Sequence, residues 1–167
     1  LAGCGACTVD IKISHGTFMG KGSTGHWSFP DTIAPEATLR ILGGYDDKFT
    51  RRTPFATPTV LQTSTERSQE VLRFEGKKHA LKELYISGLV IDAAPGNKYD
   101  GKTNSLLKAT SCTRALVRFG PMTVQRVVIA DNVFINAAEK GMEPLFRAAS
   151  DSAEIIVRNN LFANNLR

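Results

Sequence analysis

Val127-Val128-Ile129-Ala130-Asp131-Asn132-Val133-Phe134-Ile135-Asn136 lies without a gap on Ile155-Ile156-Val157-Arg158-Asn159-Asn160-Leu161-Phe162-Ala163-Asn164. Leu84-Tyr85-Ile86-Ser87-Gly88-Leu89-Val90-Ile91-Asp92-Ala93 fits the same frame more loosely. In each copy apolar residues alternate with others, a polar pair interrupts, and the alternation resumes. Alternation at period 2 is the signature of a half-buried strand. The repeat therefore describes two strands meeting at a sharp corner. A unit of this kind cannot bury its apolar face alone, so the copies are expected to stack as a solenoid.

The residue types at the corner support that reading. A one- or two-residue bend between strands needs positive φ, which Gly adopts freely and Asn and Asp adopt more readily than other residues. Gly88, Asp131 and Asn159 hold that place, and Asn132 and Asn160 follow two of them. Stacked at a strand spacing of about 4.8 Å, successive amides can bond to one another, because each carries donors and an acceptor. Asn136 and Asn164 are expected to form a second such column.

A weaker pattern precedes the corner repeats. Val71-Leu72-Arg73-Phe74, Leu116-Val117-Arg118-Phe119 and Leu145-Phe146-Arg147-Ala148 share one parity, with Leu72, Val117 and Phe146 inward. Arg73, Arg118 and Arg147 then point outward on one face, and Ile11-Lys12-Ile13 reads as an earlier member. Each rung thus has three strands, with rungs beginning near residues 71, 116 and 145. Val9 to Phe18 and Leu39-Arg40-Ile41-Leu42-Gly43, completed by Thr59-Val60-Leu61-Gln62, read as earlier rungs. Ser105 to Ala109 is a further strand-like run, expected to form a hairpin with the strand at Ala115 through Ser111-Cys112-Thr113. The fold class is all-β, a parallel β-helix over residues 1–167, with loop insertions near 19–37, 44–58 and 94–104. No capping helix is legible at either end, so the expectation is a piece of a longer solenoid.

The chain has 167 residues, 42% of them hydrophobic, enough for one domain with a core. Its net charge of +5 mildly favours acidic partners. Basic helices, paired zinc ligands and aromatic RNA-binding signatures are all missing, so nucleic acid is not an expected partner. No apolar run approaches the ~20 residues of a membrane span. Cys4 and Cys7 form a C-x-x-C pair, and Cys112 stands alone. These read as buried small hydrophobes, a local disulfide or unpaired thiols. Leu1-Ala2-Gly3-Cys4 also looks like a bacterial lipobox, which would put a lipid anchor on Cys4.

Ile41-Leu42-Gly43-Gly44-Tyr45-Asp46-Asp47, Arg51 to Phe55 and Pro58-Thr59-Val60-Leu61-Gln62 together resemble a signature of pectin-lyase-like, right-handed parallel β-helix repeat proteins of bacteria. His15-Gly16-Thr17-Phe18 resembles a turn that precedes it, and Asp131-Asn132-Val133-Phe134 and Asn159-Asn160-Leu161-Phe162 resemble the family's N-N-x-F rungs. The resemblance implies the right hand of the helix and an extracellular or cell-surface location. It implies little about activity, since this fold hosts lyases, hydrolases, esterases, tailspikes and adhesins.

Lyases of this type gather acidic side chains around calcium and use Arg or Lys as base. Galacturonase-like members carry a Gly-His-Gly turn and an Arg-x-Lys motif, neither of which occurs here. His15, His26 and His79 read as solvated loop residues. Asp92 and Asp131 lie in neighbouring repeats, and Asp46, Asp47 and Asp100 fall in insertions. Calcium is the one cofactor these carboxylates suggest. The arginine column is the better lead: like charges stacked on one face repel, and interleaved Glu75 or Glu143, or a polyanionic ligand, would offset this. Arg suits bidentate contact with the carboxylates of uronic acids. Trp27 and Tyr99, in the first and third insertions, are candidate sugar platforms. The expected function is a secreted or cell-surface scaffold or glycan-binding module without catalysis in this segment. The alternative is a lyase or hydrolase of acidic polysaccharide.

Overall fold

The computed structural model describes residues 6–20, 26–29, 36–63, 70–74, 80–94, 98–100, 102–103, 105–107, 115–119, 122–137, 140–143, 146–148 and 153–165. Among these residues the protein is all-β, with no α-helix, and hence no helix long and apolar enough to cross a membrane. The chain opens with β1 (Thr8–Ser14), β2 (Gly16–Met19) and β3 (Trp27–Phe29). It returns as β4 (Thr38–Tyr45), β5 (Thr59–Gln62) and β6 (Glu70–Phe74). A third circuit runs β7 (Ala80–Ser87), β8 (Leu89–Asp92), the pair β9 (Lys98–Asp100) and β10 (Ser105–Leu107), then β11 (Ala115–Phe119). A fourth holds β12 (Met122–Ala130), β13 (Val133–Ile135) and β14 (Lys140–Glu143), and the last described strands are β15 (Phe146–Ala148), β16 (Glu154–Arg158) and β17 (Leu161–Ala163).

Each circuit places one strand in each of three sheets, always in the same order. The first sheet is β1-β4-β7-β12, with β15 and β16 both beside β12; the second is β2-β5-β8-β13-β17; the third is β3-β6-β11-β14. Every pairing within these sheets is parallel. The gapless repeat is the register itself: Val127 pairs with Ile155, Ile129 with Val157 and Phe134 with Phe162. Inward positions superpose from circuit to circuit, so like stacks on like. Leu39, Leu84 and Val127 form one column, and Ile41, Ile86 and Ile129 another, all at most 1% exposed. Phe74 and Phe119 stack at 5.1 Å between ring centroids. The inward faces of the three sheets merge into one hydrophobic cluster.

The corners use the expected chemistry. Gly44, Gly88, Asp131 and Asn159 all have positive φ, between 53° and 79°. A side chain on Gly44 would collide with Pro54, and one on Gly43 with the carbonyl of Gly88 and with Leu89. The Gly-Gly pair is therefore a packing requirement, and it sits where an extra residue in β4 shifts its register against β1. Asn132, 1% exposed, accepts from Leu89 N–H (3.0 Å) and donates to the carbonyls of Ile86 (3.1 Å) and Ala130 (2.9 Å). Asn160 repeats the act one circuit later, accepting from Asn132 N–H (3.0 Å) and donating to Ile129 O (2.8 Å). The two amides also bond directly, Nδ2 of Asn132 to Oδ1 of Asn160, at 3.1 Å.

The second corner adds a further amide to the expected pair. Asn136 and Asn164 supply its positive φ, and the Asn136 amide donates to Asp92 of the preceding circuit at 2.6 Å. Asn165 caps the bend, accepting from Ala137 N–H (2.8 Å) and donating to Phe134 O (2.9 Å). Three further placements are corrected. Ile11-Lys12-Ile13 lies in β1 of the first sheet, not in the column of Arg73. Arg147 also belongs to the first sheet, since β15 pairs with β12 (Thr123 with Arg147) while β14 has already filled the third sheet. The Ser105 strand pairs antiparallel with its near neighbour β9, because β6 and β14 occupy both edges of β11. Cys7 is disulfide-bonded. Cys4 with its lipobox, Glu75, His79, the 111–113 turn with Cys112, and Leu145 lie outside the described residues.

Candidate functional site

The arginine column survives in part. Arg73 and Arg118 are register partners on β6 and β11, flanked by inward Leu72 and Phe74, Val117 and Phe119. The next position is Glu143 of β14 rather than Arg147. Arg73 also donates from Nη1 to Glu70 at 3.0 Å, with the glutamate side chain only 3% exposed. The outward neighbours Val71 and Leu116 are fully buried, while a third of the Arg73 side chain stays exposed.

The other sequence candidates are dispersed. Trp27 is not on a loop: it pairs with Leu72 as the edge residue of the third sheet and packs against the core. Its indole nitrogen is buried without a hydrogen-bond partner. Tyr99 and Asp100 sit on β9, off the three main sheets, and their side chains lie outside the described residues. Asp92 is 9% exposed and accepts from Gln62 Nε2 (2.8 Å), Asn136 Nδ2 (2.6 Å) and Ala94 N–H (2.8 Å). Those donors tie three consecutive circuits together at one strand end. Asp131 makes the positive-φ corner and accepts from Asn159 Nδ2 at 3.3 Å. The two carboxylates occupy different corners and do not form a pair. Among the described residues no group of three or more His, Cys, Asp or Glu gathers in a way that could hold a metal ion.

A cluster that the sequence did not single out surrounds the insertion between β4 and β5. An antiparallel bridge joins Tyr45 to Arg52. Asp46 accepts from both the backbone N–H and the hydroxyl of Thr50 (2.8 Å each), which holds its carboxyl below the usual carboxylate range. Phe49 N–H donates to Asp46 O at 2.9 Å. Arg52 then reaches back across the corner, donating to Gly43 O (2.9 Å) and to Ser87 Oγ (2.8 Å). Thr53 and Thr57 share a hydroxyl bond of 2.8 Å.

This bracing holds Phe49 at φ 56°, in the left-handed region where a bulky side chain costs about 1–2 kcal/mol. Phe49 and Phe55 stay 43% and 68% exposed. Tyr45 lies 6.3 Å from Phe49, and the Lys12 ammonium sits 5.3 Å over the Tyr45 ring. His15 Nδ1 is 3.3 Å from Tyr45 O and 3.7 Å from Asp47 Oδ1, so His15 edges this cluster rather than standing free in solvent. The available signal was aromatic residues inside a polar insertion, Phe49 and Phe55 among Asp, Arg and Thr. The arrangement offers apolar ring faces beside a cation and a carboxylate on a rigid loop, which suits binding rather than proton transfer. Comparison with protein families, curated proteins and solved structures finds nothing that matches this chain.

Proposed function

We propose that the chain forms a right-handed parallel β-helix of the pectin-lyase-like type, and that it acts as a secreted or cell-surface glycan-binding scaffold without catalysis of its own. The unvarying sheet order and parallel register support the solenoid. The right hand follows the strong preference of parallel strand connections. A disulfide at Cys7 fits an oxidising, extracellular setting.

The observation that carries the binding reading is Phe49. Backbone strain in an exposed, bulky residue persists only where its surroundings over-determine it, and such strain clusters at ligand-binding loops. Here the strain keeps an aromatic face in water beside Tyr45 and within one short loop of Phe55. Asp92 and Asp131 are engaged in holding corners, which favours binding over acid–base chemistry for these two residues. Arg73 and Arg118 add a cationic pair for acidic sugars.

The test is calorimetric titration of the chain with neutral and uronate oligosaccharides at low and high salt. Saturable binding is expected. F49A with F55A should weaken it about tenfold or more, and R73A with R118A should abolish the salt-sensitive preference for uronates. No saturable binding across the panel, or ultraviolet-absorbing unsaturated products appearing from a uronate, would overturn the reading.

A further inference from the structure

Granted the glycan-binding reading, we infer that the outward face of the second sheet is a track for an uncharged polysaccharide. The sugar chain lies along the solenoid axis, ring by ring over successive circuits. The register fixes what this face presents. Leu61, Ile91 and Phe134 point into the core and are at most 2% exposed. The alternate positions Thr17, Val60, Val90 and Val133 therefore form one outward column, in which the three valines stay partly exposed. Met19, Gln62, Asp92 and Ile135 form the other. Asp92 is the one ionisable group among them, and its oxygens are already taken by Gln62, Asn136 and Ala94. Charged residues make up 22% of the chain, so a face without a free charge is a distinct surface. The outer face of the first sheet carries Asp10, Arg40, Glu83 and Arg126, and that of the third carries Arg73 and Arg118. A face kept free of charge suits a neutral occupant.

Width and spacing narrow the choice further. β5 and β8 are four residues long and β13 three, so the strip is about 10 Å wide at the usual rise per residue. That is the breadth of one extended sugar chain. It is far narrower than the patch of roughly 800 Å² per partner that a specific protein interface requires. Successive valines stand one strand spacing apart, about 4.8 Å, close to the advance of an extended pyranose chain per ring. Their β-branched side chains pack into a flat apolar surface for the C–H faces of the rings. Polar atoms accompany them. Gln62 donates its amide nitrogen to Asp92 Oδ2 at 2.8 Å, which leaves its carbonyl oxygen for a sugar hydroxyl, and Thr17 adds an exposed hydroxyl. A mostly apolar lining with a few polar groups is the composition that orients a ligand. The track also borders the aromatic loop: Phe55 shortly precedes β5, and Pro58 O accepts from Gly16 N–H at 3.0 Å where β2 starts.

The experiment is calorimetric titration of the chain with neutral oligosaccharides of glucose, mannose and galactose, each from two to six rings, at low and high salt. Affinity for the preferred sugar should rise about tenfold or more from two rings to five. The rise should be equal at both salts, because no ion pair is made. V90K places an ammonium in the middle of the track. It should flatten the rise while leaving the disaccharide bound at Phe49 and Phe55 as tightly as before, and V133K, one circuit on, should do the same. V90T keeps the shape and the neutrality and should keep the rise. Circular dichroism checks that each variant is folded. Affinity that does not grow with length, growth that both lysine variants leave intact, or growth that salt suppresses would overturn the track and leave the loop site standing. No binding at any length would overturn the track together with the glycan reading. A dimer, seen by light scattering, that V90K disperses would give the face to a second copy and overturn the proposal as well.

Discussion

Replacing Asn132 with Ala tests the corner in its most demanding form. The side chain is 1% exposed and satisfies Leu89 N–H at 3.0 Å, Ile86 O at 3.1 Å and Ala130 O at 2.9 Å. It also meets Oδ1 of Asn160 at 3.1 Å. Leaving one buried backbone group unpaired costs about 1–3 kcal/mol. Three orphans, partly relieved by local relaxation and water, put the expected loss at about 3 kcal/mol, a large share of the stability of a domain this size. Urea unfolding followed by circular dichroism reads it directly: the midpoint should fall while the slope stays constant. N132L isolates the cause, since it mimics Leu89 of the preceding circuit in shape but restores none of these bonds, and it should recover little. A loss below about 1 kcal/mol, or full rescue by Leu, would mean that apolar stacking rather than amide bonding holds the corner.

Two further outcomes follow from the same geometry. G44A meets Pro54 and forces a φ of 79° on Ala, so it should destabilise by about 3 kcal/mol or more and broaden the thermal transition. Asp10 is held below its ordinary value chiefly by a bidentate bond from Arg40, at 2.6 Å on each oxygen. A carboxyl with a lowered folded-state pKa adds stability that is fully present above its unfolded value, about 3.9, and is lost as pH falls through the folded one. Because both side chains are partly exposed, the contribution is about 0.5 kcal/mol. D10N should remove that part of the acid sensitivity, seen as a flatter stability profile below about pH 4.

The main repeat was legible because parallel stacking makes sequence alignment and strand register the same thing. Val127 over Ile155 and Phe134 over Phe162 are at once aligned residues and paired residues. The corner was legible for the same reason, since Asp131 and Asn159 are the types that tolerate positive φ. What failed was the choice among sheets. All three present the same inward alternation, so Leu145-Phe146-Arg147 fits any of them, and parity alone cannot assign it. Trp27 was hidden by brevity, because a three-residue strand shows almost no period. Asp92 read as a ligand because its donors come from Gln62, 30 residues before it, and Asn136, 44 after. Phe49 was visible as an aromatic in a polar insertion but not as a strained residue: local preference puts Gly or Asn at positive φ, and the bracing that overrides it is tertiary.

The corner amides act in one direction only. Asn132 closes the bend of the circuit before it, Asn160 closes that of Asn132, and Asn165 closes that of Ala137. A circuit therefore becomes complete when its successor arrives, and the stack behaves as a ratchet with a fixed sense. Order installed from the N-terminal side is provisional until confirmed from the C-terminal side. Amide exchange should then be asymmetric: N160A should loosen the bend at Asn132, whereas N132A should leave the bend at Asn160 as it was. Deleting the last circuit should loosen its predecessor, whereas deleting the first should leave the bends beyond it locked.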